Sequence, residues 1–352
     1  MRVVVVGATG NVGTALLRAL AAEPTLVVGG VARRIPERPL SAAPDVDWHS
    51  ADVASSDLLP VFRGADVVVH LAWEIQPSRN LEQLGRTNVI GSENVFRAVV
   101  EARVPSLVYA SSVGVYAPGP KDERVSEDWP TSGVASSFYS VHKVLAERAL
   151  DLLEREVPSL RVVRLRPALI FSRAAASEIR RLFLGPLFPS ALARRGLIPI
   201  VPDIPRLVFQ GVHSDDVADA YRRAILSDTR GSFNVAAEPV LDPLELARLF
   251  HAKRLAVPVS VGRAAMSLTW RLRVQPTPPS WLDLARGVPL MDVRRVREEL
   301  GWSPRKTAAE ALLDLLAGLR QRSGASTPPL HPDTSGSLRH KEIASGIGRM
   351  NP

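Results

Sequence analysis

The sequence predicts a doubly wound α/β fold, in which a parallel sheet carries helices on both faces and a small C-terminal lobe covers its strand ends. Three observations carry this. An apolar strand, Val3-Val4-Val5-Val6, runs straight into a glycine-rich turn, Gly7-Ala8-Thr9-Gly10-Asn11-Val12-Gly13. Strand-like and helix-like segments then alternate as far as Pro167. Hydrophobic residues make up 46% of the 352, enough for a large core, although aromatics are only 5%. Alternation of this kind gives parallel strands joined by right-handed helical crossovers.

The β-branched run Val3–Val6 suits a strand buried on both faces. Gly7 permits the tight turn, Gly10 lets backbone approach a pyrophosphate, and Gly13 lets the next helix pack close to the strand. That helix, near Asn11–Ala21, aims its N-terminal amides at an anion. With strand before and helix after, the three glycines read as a dinucleotide fingerprint of Rossmann type. Further strands are expected at Leu26–Gly30, Ala65–His70, Ser106–Ala110 and Arg161–Leu165, with helices near Leu81–Ala102 and Tyr139–Glu156. The ligand is expected at the carboxyl ends of the strands, where the strand order reverses.

Residues 1–170 are thus assigned to the dinucleotide-binding unit. Proline-rich stretches at 171–211 and 255–290 read as insertions building a substrate lobe within 171–320. Between them, about 207–250 returns to the main sheet, with a helix at Asp215–Leu226 and a strand at Ser232–Ala236. The Ser-, Gly- and Pro-rich stretch 324–352 is expected to be disordered.

Composition narrows the partners. The chain has no cysteine, so disulfides, thiolate metal sites and a cysteine nucleophile are excluded, and a reducing cytoplasm is the simplest setting. Its net charge of +8 is spread along the chain, mostly as arginine beside acidic neighbours, which does not suggest a nucleic-acid surface. No apolar run approaches the ~20 residues of a membrane helix. A small-molecule substrate is the expected partner.

Tyr139-Ser140-Val141-His142-Lys143 places a tyrosine and a lysine on one helix face. An ammonium beside a phenol favours the phenolate and brings its pKa down from ~10. Ser111 and Ser112 follow a buried strand at the edge where the ligand belongs, and a hydroxyl there can donate to a carbonyl oxygen.

These features together resemble the extended short-chain dehydrogenases/reductases, which include NAD-dependent epimerases and dehydratases. The resemblance spans roughly 1–320. It rests on the glycine turn, Asp52-Val53, His70-Leu71-Ala72, Asn88 in Thr87-Asn88-Val89-Ile90-Gly91-Ser92, Ser111-Ser112-Val113-Gly114-Val115-Tyr116, Tyr139-x-x-x-Lys143, Arg166-Pro167 and His213-Ser214-Asp215-Asp216. It implies that Tyr139 is the acid/base, that Lys143 binds the nicotinamide ribose and tunes Tyr139, and that Ser112 orients the substrate oxygen. It further implies that Asn88 holds a proton-relay water, that Asp52 and Val53 flank the adenine, and that His70, Leu71 and Ala72 line the cofactor. Gly7, Thr9, Gly10, Asn11, Val12, Gly13, Ser111 and Pro167 complete the expected cofactor site. His213 and Asp216 are read as structural anchors. Family members often dimerise through two helices, here 81–102 and 139–156, so a homodimer is implied.

At the end of the second strand stands Ala32-Arg33-Arg34, where an acidic residue would hold the ribose hydroxyls of NAD. Two guanidiniums there suit a 2′-phosphate, so NADP(H) is preferred over NAD(H). Nucleotide-sugar members usually carry Asn and then Gly-Pro after the sixth strand; this chain reads Ala168-Leu169-Ile170-Phe171-Ser172. Ala117 also replaces a glycine usual after Val-Tyr. The expected activity is reversible hydride transfer with a carbonyl or alcohol substrate. The alternatives are a nucleotide-sugar epimerase or dehydratase with tightly bound NAD, and a non-catalytic NADP(H) sensor.

Overall fold

A computed structural model describes residues 1–43, 45–336, 339–344 and 347–348. Its main sheet is built from β1 (Arg2–Val6), β2 (Val27–Ala32), β3 (Asp47–Ser50), β4 (Val67–His70), β5 (Ser106–Ala110), β7 (Arg161–Pro167) and β11 (Gly231–Val235). Their order is β11-β7-β5-β4-β1-β2-β3, and every pairing is parallel. The order reverses between β1 and β4, so the predicted crevice opens beyond Val6 and His70.

Helices cover both faces, and the strand pleat decides which side chain meets which helix. Val3, Val5, Val67 and Val69 pack against α1 (Asn11–Leu20) and α7 (Ser214–Leu226). Val4, Val6, Val68 and Val162 face α2 (Leu59–Phe62), α4 (Gly91–Glu101) and α5 (Phe138–Glu156). Each fully buried valine contributes about 1.5–3 kcal/mol by leaving water.

The helix expected over 81–102 is interrupted: α3 (Leu81–Gly85) passes through a π turn (Arg86–Ile90) before α4. Gly91, where regular helix resumes, lies against the loop after β3; a Cβ there would come within 2.7 Å of a Val53 methyl. The strand β3 was not expected, because Asp47-Trp48-His49-Ser50 is a half-exposed edge strand without apolar alternation.

The lobe contains three small sheets. β8 (Leu169–Phe171), β10 (Phe209–His213) and β12 (Ala237–Leu241) form one; β9 (Ile200–Asp203) and β13 (Lys253–Ala256) form another; β6 (Arg124–Val125) and β14 (Leu290–Met291) form the third. Within 207–250, therefore, only α7 and β11 return to the main body, and β10 and β12 do not join its sheet. Helices α6 (Ala176–Ile179), α8 (Pro243–Phe250), α9 (Val259–Arg271), α10 (Ser280–Gly287), α11 (Arg294–Leu300) and α12 (Ala308–Gln321) complete the lobe and its supports.

The stretch 324–352 differs from expectation where it is described. Thr327 and Leu330 are buried, and α13 (His340–Ala344) carries Glu342 into a buried ion pair with Arg180, 2.9 Å from Nη1 to Oε2. Buried apolar contact and a paired charge offset the entropy that its composition would otherwise favour. Residues 337, 338, 345, 346 and 349–352 lie outside the described residues. Among the described residues no helix is long and apolar enough to cross a membrane.

Candidate active site

The glycine turn has two structural glycines and one open one. Gly7 has φ +86°, and a Cβ on it would lie 2.6 Å from the Ala72 amide nitrogen, so the turn after β1 meets the loop after β4 only through glycine. A Cβ on Gly13 would strike the Gly7 carbonyl and sit 2.8 Å from Ala8 Cα. Around Gly10 the nearest atom would be 3.6 Å away, so nothing in the protein itself requires glycine there. Gly10 caps α1 without a side-chain hydrogen bond, and no acidic residue occupies the first turn. An open, uncapped amide cradle fits a pyrophosphate.

The cradle opens into a cavity of about 620 Å³. Gly7, Thr9, Gly10, Asn11, Val12, Gly13, Arg33, Arg34, Val53, Leu71, Ala72, Ser111, Ser112, Tyr139, Lys143 and Pro167 all line it, as the sequence implied. Three expected members do not. Asp52 turns back on its own loop, accepting from the Ala54 amide at 2.9 Å. Asn88 has both ends of its amide committed to Glu74: Oδ1 accepts from Glu74 N at 2.7 Å and Nδ2 donates to Glu74 O at 2.8 Å. It holds the loop after β4, and its Nδ2 also lies 3.5 Å from His142 Nδ1. His70 is fully buried on the α4 side of the sheet, edge-on to Phe96 and tilted against Tyr109, with Nε2 2.9 Å from Ser92 Oγ. The Ser92 proton goes to the Asn88 carbonyl at 2.7 Å, so His70 Nε2 carries the hydrogen of that pair. Burial pushes the His70 pKa down to about 3, with Lys143 adding to the effect.

Tyr139 and Lys143 both rise from α5, whose start is capped by the Ser137 hydroxyl. Ser112 caps the short 3₁₀ turn Val113–Val115, accepting from the Gly114 amide at 3.0 Å. Gly114 brings the two together: a Cβ on it would lie 2.9 Å from Tyr139 Cε1 and 3.3 Å from Ser112 Oγ. Burial raises the Tyr139 pKa, and a hydrogen bond from Ser112 opposes the rise. Lys143, one turn further along α5, lines the same cavity. Its ammonium donates to the Ala110 carbonyl at 2.6 Å and lies over the Trp73 ring, 3.5 Å from its centre. Burial drives the Lys143 pKa well down, against the pull of Glu147.

Behind the site, Glu147 accepts from Ser111 and pairs with Arg166 at 2.6 Å. Arg166 in turn donates to the Tyr116 hydroxyl at 3.0 Å, and Tyr116 donates to Asn234 at 2.6 Å. This network fixes the end of β5 from which Ser112 projects. His213 caps α7 and contacts Asp314 at 3.2 Å, while Asp216 accepts from the Arg305 and Lys306 amides. Both are anchoring arrangements.

Phe183 was expected in an apolar lobe pocket; the two tryptophans that complete an aromatic wall with it were not. Trp73, Phe183 and Trp281 line the cavity around Tyr139; the Tyr139 ring centre lies 6.0 Å from Trp73 and 5.1 Å from Trp281, which lies 5.0 Å from Phe183. Missed as well was Glu74, whose buried carboxylate pairs with Arg33 at 2.5 Å.

Residues 3–236 match the model of the NAD dependent epimerase/dehydratase family. The chain belongs to this family. Among curated proteins, an uncharacterized protein of Mycobacterium tuberculosis (strain ATCC 25618 / H37Rv) is 30% identical over 92% of this chain. The match covers 31% of that relative, so the chain spans about a third of its length. An L-arabinose 1-dehydrogenase (NAD(P)(+)) of Haloferax volcanii is 29% identical over 59% of this chain and 86% of its own. Among solved structures, UDP-glucose 4-epimerase of Thermus thermophilus with NAD has TM-score 0.65 and 21% identity, covering 91% of this chain and 99% of that one. UDP-glucuronic acid 4-epimerase of Bacillus cereus, with UDP-glucuronic acid and NAD, has TM-score 0.65 and 17% identity over the same shares. Both share the fold of this epimerase/dehydratase family member.

Proposed function

We propose that this family member is a reversible NADP(H)-linked oxidoreductase acting on a carbonyl or alcohol of largely apolar character. The observation that carries the reading is that Ser112 and Tyr139, brought together across Gly114, stand on the wall of a cavity faced by Trp73, Phe183 and Trp281. The bound nicotinamide would supply or accept the hydride. The protein does the rest. Ser112 holds the substrate oxygen, and Tyr139 Oη gives its proton to that oxygen as the carbonyl becomes an alcohol. A buried, neutral phenol is suited to the donor role. In the reverse direction the phenolate would take the proton back.

The cofactor reading rests on the end of β2, where Arg33 and Arg34 line the cavity, no acidic residue follows in sequence, and the one carboxylate that reaches Arg33 is Glu74 from the loop after β4. The Haloferax relative, named for use of either cofactor, is compatible with it. The two epimerase structures, solved with NAD, keep the cofactor-recycling alternative in play. We expect a cytoplasmic enzyme with no nucleic-acid or membrane partner. Val141, Leu145 and Leu152, exposed on α5, offer the face for a second copy.

The test is mass spectrometry of the nicotinamide released on denaturation, followed by turnover of NADPH with apolar ketones and aldehydes. The expected outcome is an empty or NADP(H)-bearing site and one NADPH consumed per carbonyl reduced. Stoichiometric tightly bound NAD, with a UDP-sugar epimerised and no net cofactor consumed, would overturn the reading in favour of the epimerase.

A further inference from the structure

Two arginines from different parts of the fold share the cavity wall. Arg34 follows β2, and Arg181 lies in the lobe, in the π turn Arg180–Leu184 after α6. Arg181 is only 8% exposed, an unusual position for a guanidinium without a carboxylate partner. Its Nη2 donates to the Pro329 carbonyl, while its buried Nη1 has no hydrogen-bond partner. No ion pair within 4 Å involves Arg181 or Arg34 among the described residues, whereas Arg33 is paired with Glu74. Glu178, one turn earlier and also on the cavity wall, has its pKa raised by burial to about 7, against the pull of Arg181, so it is only partly charged at neutral pH.

A buried charged donor without an acceptor is costly, and Arg34 and Arg181 repel across the wall although Glu178 and Glu342 pull on Arg181. A dianionic group between them would relieve both penalties. The only part of a nicotinamide dinucleotide that adds such a group beyond β2 is the phosphate on the adenosine ribose.

We propose that Arg181 closes with Arg34 on the 2′-phosphate of NADP(H), and that the segment around Pro329 holds Arg181 in place. The inference rests on NADP(H) as the cofactor and adds a lobe residue to its recognition. Arg33, already neutralised by Glu74, becomes the minor contributor. The segment 324–330 spans the gap: Thr327 Oγ1 lies 3.5 Å from Thr14 Oγ1 in the nucleotide helix, and Pro329 lines the cavity.

The test is titration calorimetry of the full chain with NADP⁺, NAD⁺, 2′,5′-ADP and 5′-AMP. Arg181→Gln is expected to weaken NADP⁺ and 2′,5′-ADP by roughly tenfold to hundredfold and to leave NAD⁺ and 5′-AMP unchanged. Arg181→Lys, which keeps the charge, should recover part of the loss and guards against a folding defect. Equal NADP⁺ affinity in Arg181→Gln, or parallel losses for NADP⁺ and NAD⁺, overturns the clamp. If Arg34→Gln then still abolishes the NADP⁺ preference, the cofactor reading survives that failure. A wild-type protein that binds NAD⁺ as tightly as NADP⁺ overturns both.

Discussion

The Lys143 ammonium lies 3.5 Å from the centre of the Trp73 indole and is held by the Ala110 carbonyl. A π face and a carbonyl meet this nitrogen, while Glu147, one turn further along α5, pairs with Arg166, accepts from Ser111 and still pulls the Lys143 pKa upward against burial. Ser112, across Gly114 from the Tyr139 ring, pulls the phenol's pKa down against burial.

Tyr139→Phe keeps the ring contacts with Trp73 and Trp281 and removes only the proton. Steady-state kinetics should show kcat down by about 10²–10⁴-fold. Calorimetric affinity for NADP⁺ should be unchanged. Wild-type-like turnover would remove Tyr139 from the acid/base role.

Ser112→Ala should cost about 10²–10³ in kcat, as expected for loss of a donor to a developing oxyanion. It should also move the Tyr139 ionisation in the pH–rate profile to higher pH, since the Ser112 bond pulls that pKa down. A profile that stays put would mean that the hydroxyl only caps the Val113–Val115 turn.

The glycines of the nucleotide turn should separate by kind. Gly7→Ala forces a side chain at φ +86° into Ala72 and should lower the melting temperature. Gly10→Ala has room within the protein and should melt like wild type while losing dinucleotide affinity. Calorimetry and thermal melts on the two variants check this, and a Gly10→Ala protein with intact affinity would contradict the cradle.

His70 gives an acid-side stability slope. Its folded pKa of about 3 lies below the unfolded value of 6.5, so the unfolded state binds the extra proton between those limits. Stability is full above 6.5 and falls as pH drops toward 3, by up to about 1.4 kcal/mol per pH unit. His70→Leu should flatten the urea midpoint over that window; an unchanged slope would assign the acid sensitivity elsewhere.

Glu147→Gln breaks a pair buried on both sides and should cost about 3–5 kcal/mol, read from denaturant midpoints. Burial raises the Glu147 pKa, but the Arg166 bonds outweigh it and hold the carboxyl low. The stabilisation is therefore present above the ordinary carboxylate range and lost as pH falls through the lowered value. A loss below about 1 kcal/mol would put the pair in the class of exposed ion pairs.

Much of the cofactor half was legible because its signals are local. Val3–Val6 and the glycine turn determine strand, turn and helix within a dozen residues, and Tyr139 and Lys143 follow from helical spacing alone. His70 was misplaced although the pleat held the answer. In β4 the residues of one parity, Val67 and Val69, face α1, so His70 must face α4 with Val68. In a strand buried on both faces, polarity does not mark the side. Asn88 could not be read because its partner is backbone, and any residue at position 74 would offer the same two groups. Trp73, Phe183, Trp281 and Arg181 converge from three distant segments, and no spacing encodes such a meeting.

The contact between Thr14 and Thr327 spans 313 residues. A ribosome adding about 5–20 residues per second completes the nucleotide loop well before the segment that covers it, by roughly a quarter of a minute or more. Only after β11 is made are all seven strands of the sheet present, and Pro329 then still has to be made before Arg181 can be held. A dinucleotide captured early would meet the open half of its site first, and the late segment would act as the latch.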